Sequence, residues 1–95
     1  MADKVPVTNN ESAKRFEARL GEHTAILTYM RQPDALVLVH TEVPEQLEGR
    51  GLGGDLVRTA LEYARAQDLR IVPRCPFVVT WLERHPEYED VVQKP

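Results

Sequence analysis

The 95-residue chain has 42% apolar side chains, enough for one domain with one modest core and too few for a nucleotide domain beside a substrate domain. Its 12 basic and 15 acidic residues leave a formal charge of −3, which offers no basic footprint for nucleic acid or an anionic membrane. Cys75 is the only cysteine, which excludes an internal disulfide and a thiolate metal cluster and fits a reducing, cytoplasmic compartment.

The first residues, "MADKVPVTNNESAKRF", are too polar for the apolar stretch of a signal peptide, and no segment approaches the roughly 18 apolar residues of a membrane span. Residues 1–12 show no hydrophobic periodicity and are expected to be a flexible end, with a single domain over 13–95. "RFEARL" alternates Phe16, Ala18 and Leu20 with charged neighbours, the pattern of a strand with one wet face. "GEH" turns the chain, "TAILTYM" reads as a second strand, "RQPD" turns again, and "ALVLVHTEV" reads as a strand covered on both faces. Three strands in antiparallel succession are predicted.

Beyond Pro44, Leu52, Leu56, Val57, Ala60, Leu61 and Ala64 share one helical stripe, with Arg58, Glu62 and Arg65 on the wet side. "LRIVP" is a short apolar strand reached through that helix, so it is expected to lie parallel to "ALVLVH". In "CPFVVTWLERH" Pro76 suits a first helical turn, and Phe77 with Trp81 and Val78 with Leu82 fall at i,i+4. A second helix is predicted there, ending by Pro86. The fold class is therefore α/β (α+β): a mixed sheet of three antiparallel strands and one parallel strand, with two main helices. Phe77 and Trp81 read as core; His85, Glu87 and Tyr88 read as capping and surface packing.

The run "EGRGLGG" satisfies G-x-G-x-x-G through Gly49, Gly51 and Gly54. A Rossmann fingerprint places those glycines straight after a strand, yet residues 41–48, Pro44 among them, separate His40 from Gly49. A P-loop requires a Lys-Ser/Thr pair after the glycines, and none follows. What is left is the helix terminus itself: backbone N–H groups freed by Gly51, Gly53 and Gly54 converge at its positive end, with Arg50 beside them, and suit a pyrophosphate.

The stretch "HTEVPEQLEGRGLGGDLVRTALEYARAQDLRIVPRCPFVVTWLERHPEY" resembles the small GNAT-like acyltransferases, a minimal branch of the GNAT N-acetyltransferases. Residues Glu48 to Gly53 match the family's Q/R-x-x-G-x-G/A signature except that Glu48 replaces the usual Gln or Arg; V-P-E, G-R-G-L-G and P-x-C-P match the small branch. The resemblance implies a reduced GNAT fold that binds acetyl-CoA, or coenzyme A, through Arg50, Gly51, Leu52, Gly53 and Gly54. It also implies that pantetheine lies along Thr41, Glu42 and Val43 where two parallel strands splay apart. His40 and Cys75 are the functional pair it points to, His40 as general base and Cys75 as acyl carrier, proton donor or pocket wall. Cys75 also precedes a helix start, where the dipole favours thiolate.

Two functions follow from the resemblance. One is an acetyl-CoA-dependent N-acetyltransferase acting on a small-molecule or protein amine; the other is a coenzyme A binding module with little or no turnover. A ligand-free interaction protein would leave the glycine turn without purpose. No metal site, nucleic-acid partner or membrane partner is expected, and the chain is expected to be monomeric.

Overall fold

The computed structural model describes residues 5–93. In chain order they form β1 (Val7–Asn10), β2 (Arg15–Leu20), β3 (His23–Arg31), β4 (Ala35–Glu42), α1 (Leu52–Ala66), β5 (Arg70–Pro73) and α2 (Pro76–Glu83), with 3₁₀ turns at Glu45–Leu47 and Pro86–Val91. The strands make one five-stranded sheet in the order β1-β2-β3-β4-β5. The first four run antiparallel, and β5 lies parallel to β4 from Ala35↔Arg70 to Leu38↔Pro73. This is the expected mixed sheet with one strand more.

The additional strand is β1, which lies within the segment 1–12 expected to be a flexible end; residues 1–4 of that segment, like 94–95, lie outside the described residues. Only Val5 and Val7 alternate toward the core here, and the rest of VTNN is polar, with Asn9 and Asn10 held by side-chain hydrogen bonds. The Tyr29 hydroxyl donates to Asn9 Oδ1 at 2.7 Å, and Asn10 Nδ2 donates to Glu17 Oε2 at 3.1 Å. Periodicity reads burial and misses a strand of this kind.

Alternation along β2, β3 and β4 puts Phe16, Ala18, Ala25, Leu27, Tyr29, Leu36 and Leu38 on one face, where α1 covers them with the stripe read from the sequence. Leu56, Val57 and Leu61 are fully enclosed, each side chain contributing roughly 1.5–3 kcal/mol. Helix α2 packs on the same face through Val78, beside α1. Among the described residues no helix is long and apolar enough to cross a membrane.

The C-terminal turn folds back over α1. Tyr88 is buried; its hydroxyl donates to Glu62 Oε2 at 2.6 Å and accepts from Arg58 Nη1 at 3.2 Å. Arg65 lies over the Tyr88 ring, pairs with Asp90 at 2.7 Å and donates to the Glu87 carbonyl at 3.2 Å. His85 stacks on Trp81 with centroids 3.6 Å apart. Tyr88, Asp90 and the Glu87 carbonyl thus secure the chain end to α1 while His85 packs on α2, and the Arg58, Glu62, Arg65 face of α1 is exposed yet engaged.

Asn9 supplies a test of whether β1 belongs to the folded unit. Its side-chain amide nitrogen is buried with no partner among the described residues, so the Tyr29 hydroxyl is the one side-chain bond the amide keeps. Tyr29→Phe therefore lowers the unfolding free energy in urea by about 1–3 kcal/mol. A Tyr29→Phe protein as stable as the parent would mean that β1 is not held in this way.

Candidate functional site

The site begins where β4 outlives β5. The ladder between them ends at Leu38↔Pro73, and the Leu38 carbonyl accepts the N–H groups of both Arg74, at 3.0 Å, and Cys75, at 3.1 Å. β5 then turns into α2, while β4 continues to Glu42 with β3 as its partner. Among the described residues, the edge of β4 beyond Leu38 therefore has no strand beside it.

A β-bulge sits at the same place. Tyr29 pairs with Leu38, but Thr28 pairs with His40, so Val39 is an extra residue in β4. One extra residue exchanges the faces of everything after it. Thr41 pairs with the buried Leu27 and turns toward the helices; His40 and Glu42 pair with Thr28 and Ile26 and face the opposite, helix-free side. The His40 side chain is 61% exposed, with Nε2 3.7 Å from Glu42 Oε1.

Cys75 occupies the helix face. It is 4% exposed, N-cap of α2 just before Pro76, and its Sγ lies 3.3 Å from the Thr41 hydroxyl. Burial works against the thiolate; the Thr41 hydroxyl and the N–H groups of Val78, Phe77 and Thr41 outweigh it, and the thiol titrates below its ordinary value. The sulfur closes no hydrogen bond that caps the helix, so the α2 amides act on it through their field. His40 and Cys75 stand at adjacent strand ends as expected, but the bulge places their side chains on opposite faces.

The glycines divide by role. Gly49 and Gly51 have φ of 85° and 75°, a left-handed conformation that other L-residues adopt at a cost, and a Cβ on either would meet nothing within 4 Å. Gly53 and Gly54 have the opposite reason to be small. A Cβ on Gly53 would stand 2.8 Å from Phe77 Cζ, and one on Gly54 would stand 3.0 Å from Trp81 Nε1. The chain's own aromatic side chains fill those positions and set how closely α2 approaches α1.

Gly51 caps α1 without any side-chain hydrogen bond, and the first intrahelical bond runs from Asp55 N–H to the Gly51 carbonyl. The N–H groups of Leu52, Gly53 and Gly54 precede it and have no carbonyl within the helix. They lie at a groove of about 230 Å³ lined by Val43, Leu47, Glu48, Gly49, Gly51, Leu52, Gly53, Gly54 and Phe77. Arg50, between the lining residues Gly49 and Gly51, is exposed and is not itself part of the lining, nor are Thr41 and Glu42. The sequence pattern thus locates most of the groove.

Leu47 and Phe77 were not legible as groove residues. Leu47 belongs to the 3₁₀ turn Glu45–Leu47 that fills the approach to the glycines, for which no apolar period exists. Phe77, expected in the core, is 44% exposed; a single i,i+4 pair does not say which side of a two-turn helix is covered. Thr41 has a legible position but not a legible role, because its bond to Cys75 depends on the bulge.

The sequence model of the family described as GCN5-related N-acetyl-transferase matches residues 15–91. Protein NATD1 from Bos taurus is 32% identical over 85 residues, covering 86% of this chain and 75% of its own length. Protein NATD1 from Danio rerio is 29% identical over 93 residues, covering 93% and 84%. The solution structure of a GCN5-like protein from Staphylococcus aureus superposes with a TM-score of 0.73 at 28% identity, covering 99% of this chain and 93% of that one.

Two outcomes are expected from this geometry. Gly51→Ala adds a Cβ in open space but in a left-handed backbone, which costs about 1–2 kcal/mol of stability; Gly51→Asn costs less, since Asn tolerates that conformation. Equal losses in denaturant melts would point to a steric cause instead. For Cys75, Thr41→Val removes a bond that favours the thiolate, so the pKa read from thiolate absorbance rises. A depressed folded-state pKa contributes stability that is full above the unfolded value of about 8.5 and is lost as pH falls through the folded value. The stability difference between wild type and Thr41→Val accordingly shrinks toward acid, and a difference independent of pH would remove the thiolate from the account.

Proposed function

The chain belongs to the GCN5-related N-acetyltransferase family, and from that premise we propose that it binds acetyl coenzyme A at the glycine turn and transfers the acetyl group to an amine. The observation that carries the reading is the conjunction of an open strand edge and an uncapped helix terminus. The edge of β4 beyond Leu38 lies open at the point where β5 leaves, and the α1 terminus beside it has no side-chain cap. An extended amide-bearing chain suits the first as an added strand does, and a diphosphate suits the second.

The residues present fit such a ligand. The space over Gly49 and Gly51 is clear, Arg50 between them is exposed and positively charged, and Val43, Leu47 and Phe77 give the groove an apolar lining. Acetyl coenzyme A supplies a thioester carbonyl open to attack by a neutral amine. An amine arriving as ammonium has to lose a proton first, and His40 beside Glu42 on the helix-free face is accessible for that exchange. Cys75, held by Thr41 and enclosed, is poised on the other face as a proton-exchanging thiol or as a wall of the site.

The separation of His40 and Cys75 favours one competing reading, a coenzyme A binding module, because the two do not form a hydrogen-bonded nucleophile and base. Calorimetry and turnover with a panel of amines separate the readings. Coenzyme A binds in both, and Arg50→Ala weakens it by roughly twofold to fivefold, as expected for an exposed charge worth up to ~1 kcal/mol. A transferase acetylates one of the amines, and His40→Ala lowers turnover while leaving coenzyme A affinity unchanged. Absence of coenzyme A binding by the parent protein would defeat both readings.

A further inference from the structure

Resting on the coenzyme A reading, we infer that Phe77 is a specificity residue: its ring is the wall that receives the branched apolar arm next to the diphosphate, and it selects a pantetheine-bearing ligand over a bare nucleotide diphosphate. Phe77 is the second residue of α2 and remains 44% exposed in a small chain whose other aromatic rings are buried or partly buried. Leaving that surface wet is unfavourable by itself. The ring is not loose, however. Its Cζ, Cε2 and Cε1 lie 2.8, 3.2 and 3.5 Å from where a Cβ on Gly53 would stand, so the first turn of α1 accommodates it only because that residue is glycine.

The ring is therefore set against the first turn of α1 and, together with Gly53, lines the groove. Val43 and Leu47 supply further apolar surface there. The groove, about 230 Å³, is smaller than the 300–1,000 Å³ of a site that encloses a whole drug-sized ligand, so it holds one segment of an extended molecule. In coenzyme A the segment joined to the diphosphate carries two geminal methyl groups. A nucleotide ending at its diphosphate has nothing apolar to place against Phe77.

The inference is tested by titrating coenzyme A and 3′-phosphoadenosine 5′-diphosphate, which lacks the pantetheine arm, into wild type, Phe77→Ala and Phe77→Leu in a calorimeter. Removing the wall from two methyl groups corresponds to about tenfold in affinity. Phe77→Ala is expected to weaken coenzyme A by that factor and leave the truncated nucleotide within about twofold. Phe77→Leu, which keeps an apolar wall, is expected to retain most of the coenzyme A affinity. Equal weakening of both ligands, or of neither, would overturn the inference. So would a wild type that binds the truncated nucleotide as tightly as coenzyme A, although the diphosphate site would then stand. A wild type that binds neither ligand would overturn the coenzyme A reading, and this inference with it.

Discussion

The Leu38 carbonyl is the point from which the site is built. By accepting the N–H groups of both Arg74 and Cys75, it ends the parallel ladder and turns the chain out of the sheet at the residue before Pro76. Proline then does what its missing N–H and fixed φ allow, and opens a helix at once. Because α2 starts there, Phe77 and Trp81 reach the first turn of α1, Val78 enters the core, and Cys75 is left as N-cap. Moving the end of the ladder by one residue would displace all four.

The bulge at Val39 acts on the other strand of the same fork. It reverses the sidedness of β4 after Leu38, so one short segment sends a hydroxyl toward the helices and an imidazole and a carboxylate away from them. The helix face is enclosed and holds a thiol. The opposite face is wet and carries ionisable groups: Arg15 and Glu17 on β2, paired at 2.6 Å, lie on the same side as His40 and Glu42. Arg15 and Asn10 hold the Glu17 carboxyl below its usual range. Proton exchange with solvent is easier on that side than beside the enclosed Cys75.

Much of this was legible in the sequence, and the exceptions share a cause. "RFEARL" coincides with β2, and the α1 stripe is buried at every residue named for it. Both features follow from burial, which periodicity records. β1 escaped because only Val5 and Val7 alternate toward the core there, while Asn9 and Asn10 are held by side-chain hydrogen bonds. The faces of His40 and Thr41 escaped because a bulge leaves no mark on composition: counting by twos from Leu36 and Leu38 puts His40 with the core. The glycine run pointed to the right turn but could not divide its residues into those set by backbone conformation and those set by a neighbouring ring.

That division bears on why α1 begins as it does. Gly53 and Gly54 lie within the helix, where each is less favourable than Ala by roughly 0.5–1 kcal/mol, and Gly51 forgoes a side-chain cap, a loss of roughly a few tenths of a kcal/mol relative to Ser or Asp. Elsewhere the same helix is well secured: Leu56, Val57 and Leu61 are enclosed, and Tyr88, bonded to Glu62 and Arg58, holds the C-terminal turn against it. Stability is thus concentrated along the body of α1 and withheld from its amino terminus. Packing alone explains Gly53 and Gly54, since Phe77 and Trp81 occupy the space. It does not explain a left-handed Gly51 with clear space over it and no cap beside three free N–H groups. A local rule broken without a packing reason, at the mouth of a groove, is the kind of exception found at functional or strained sites.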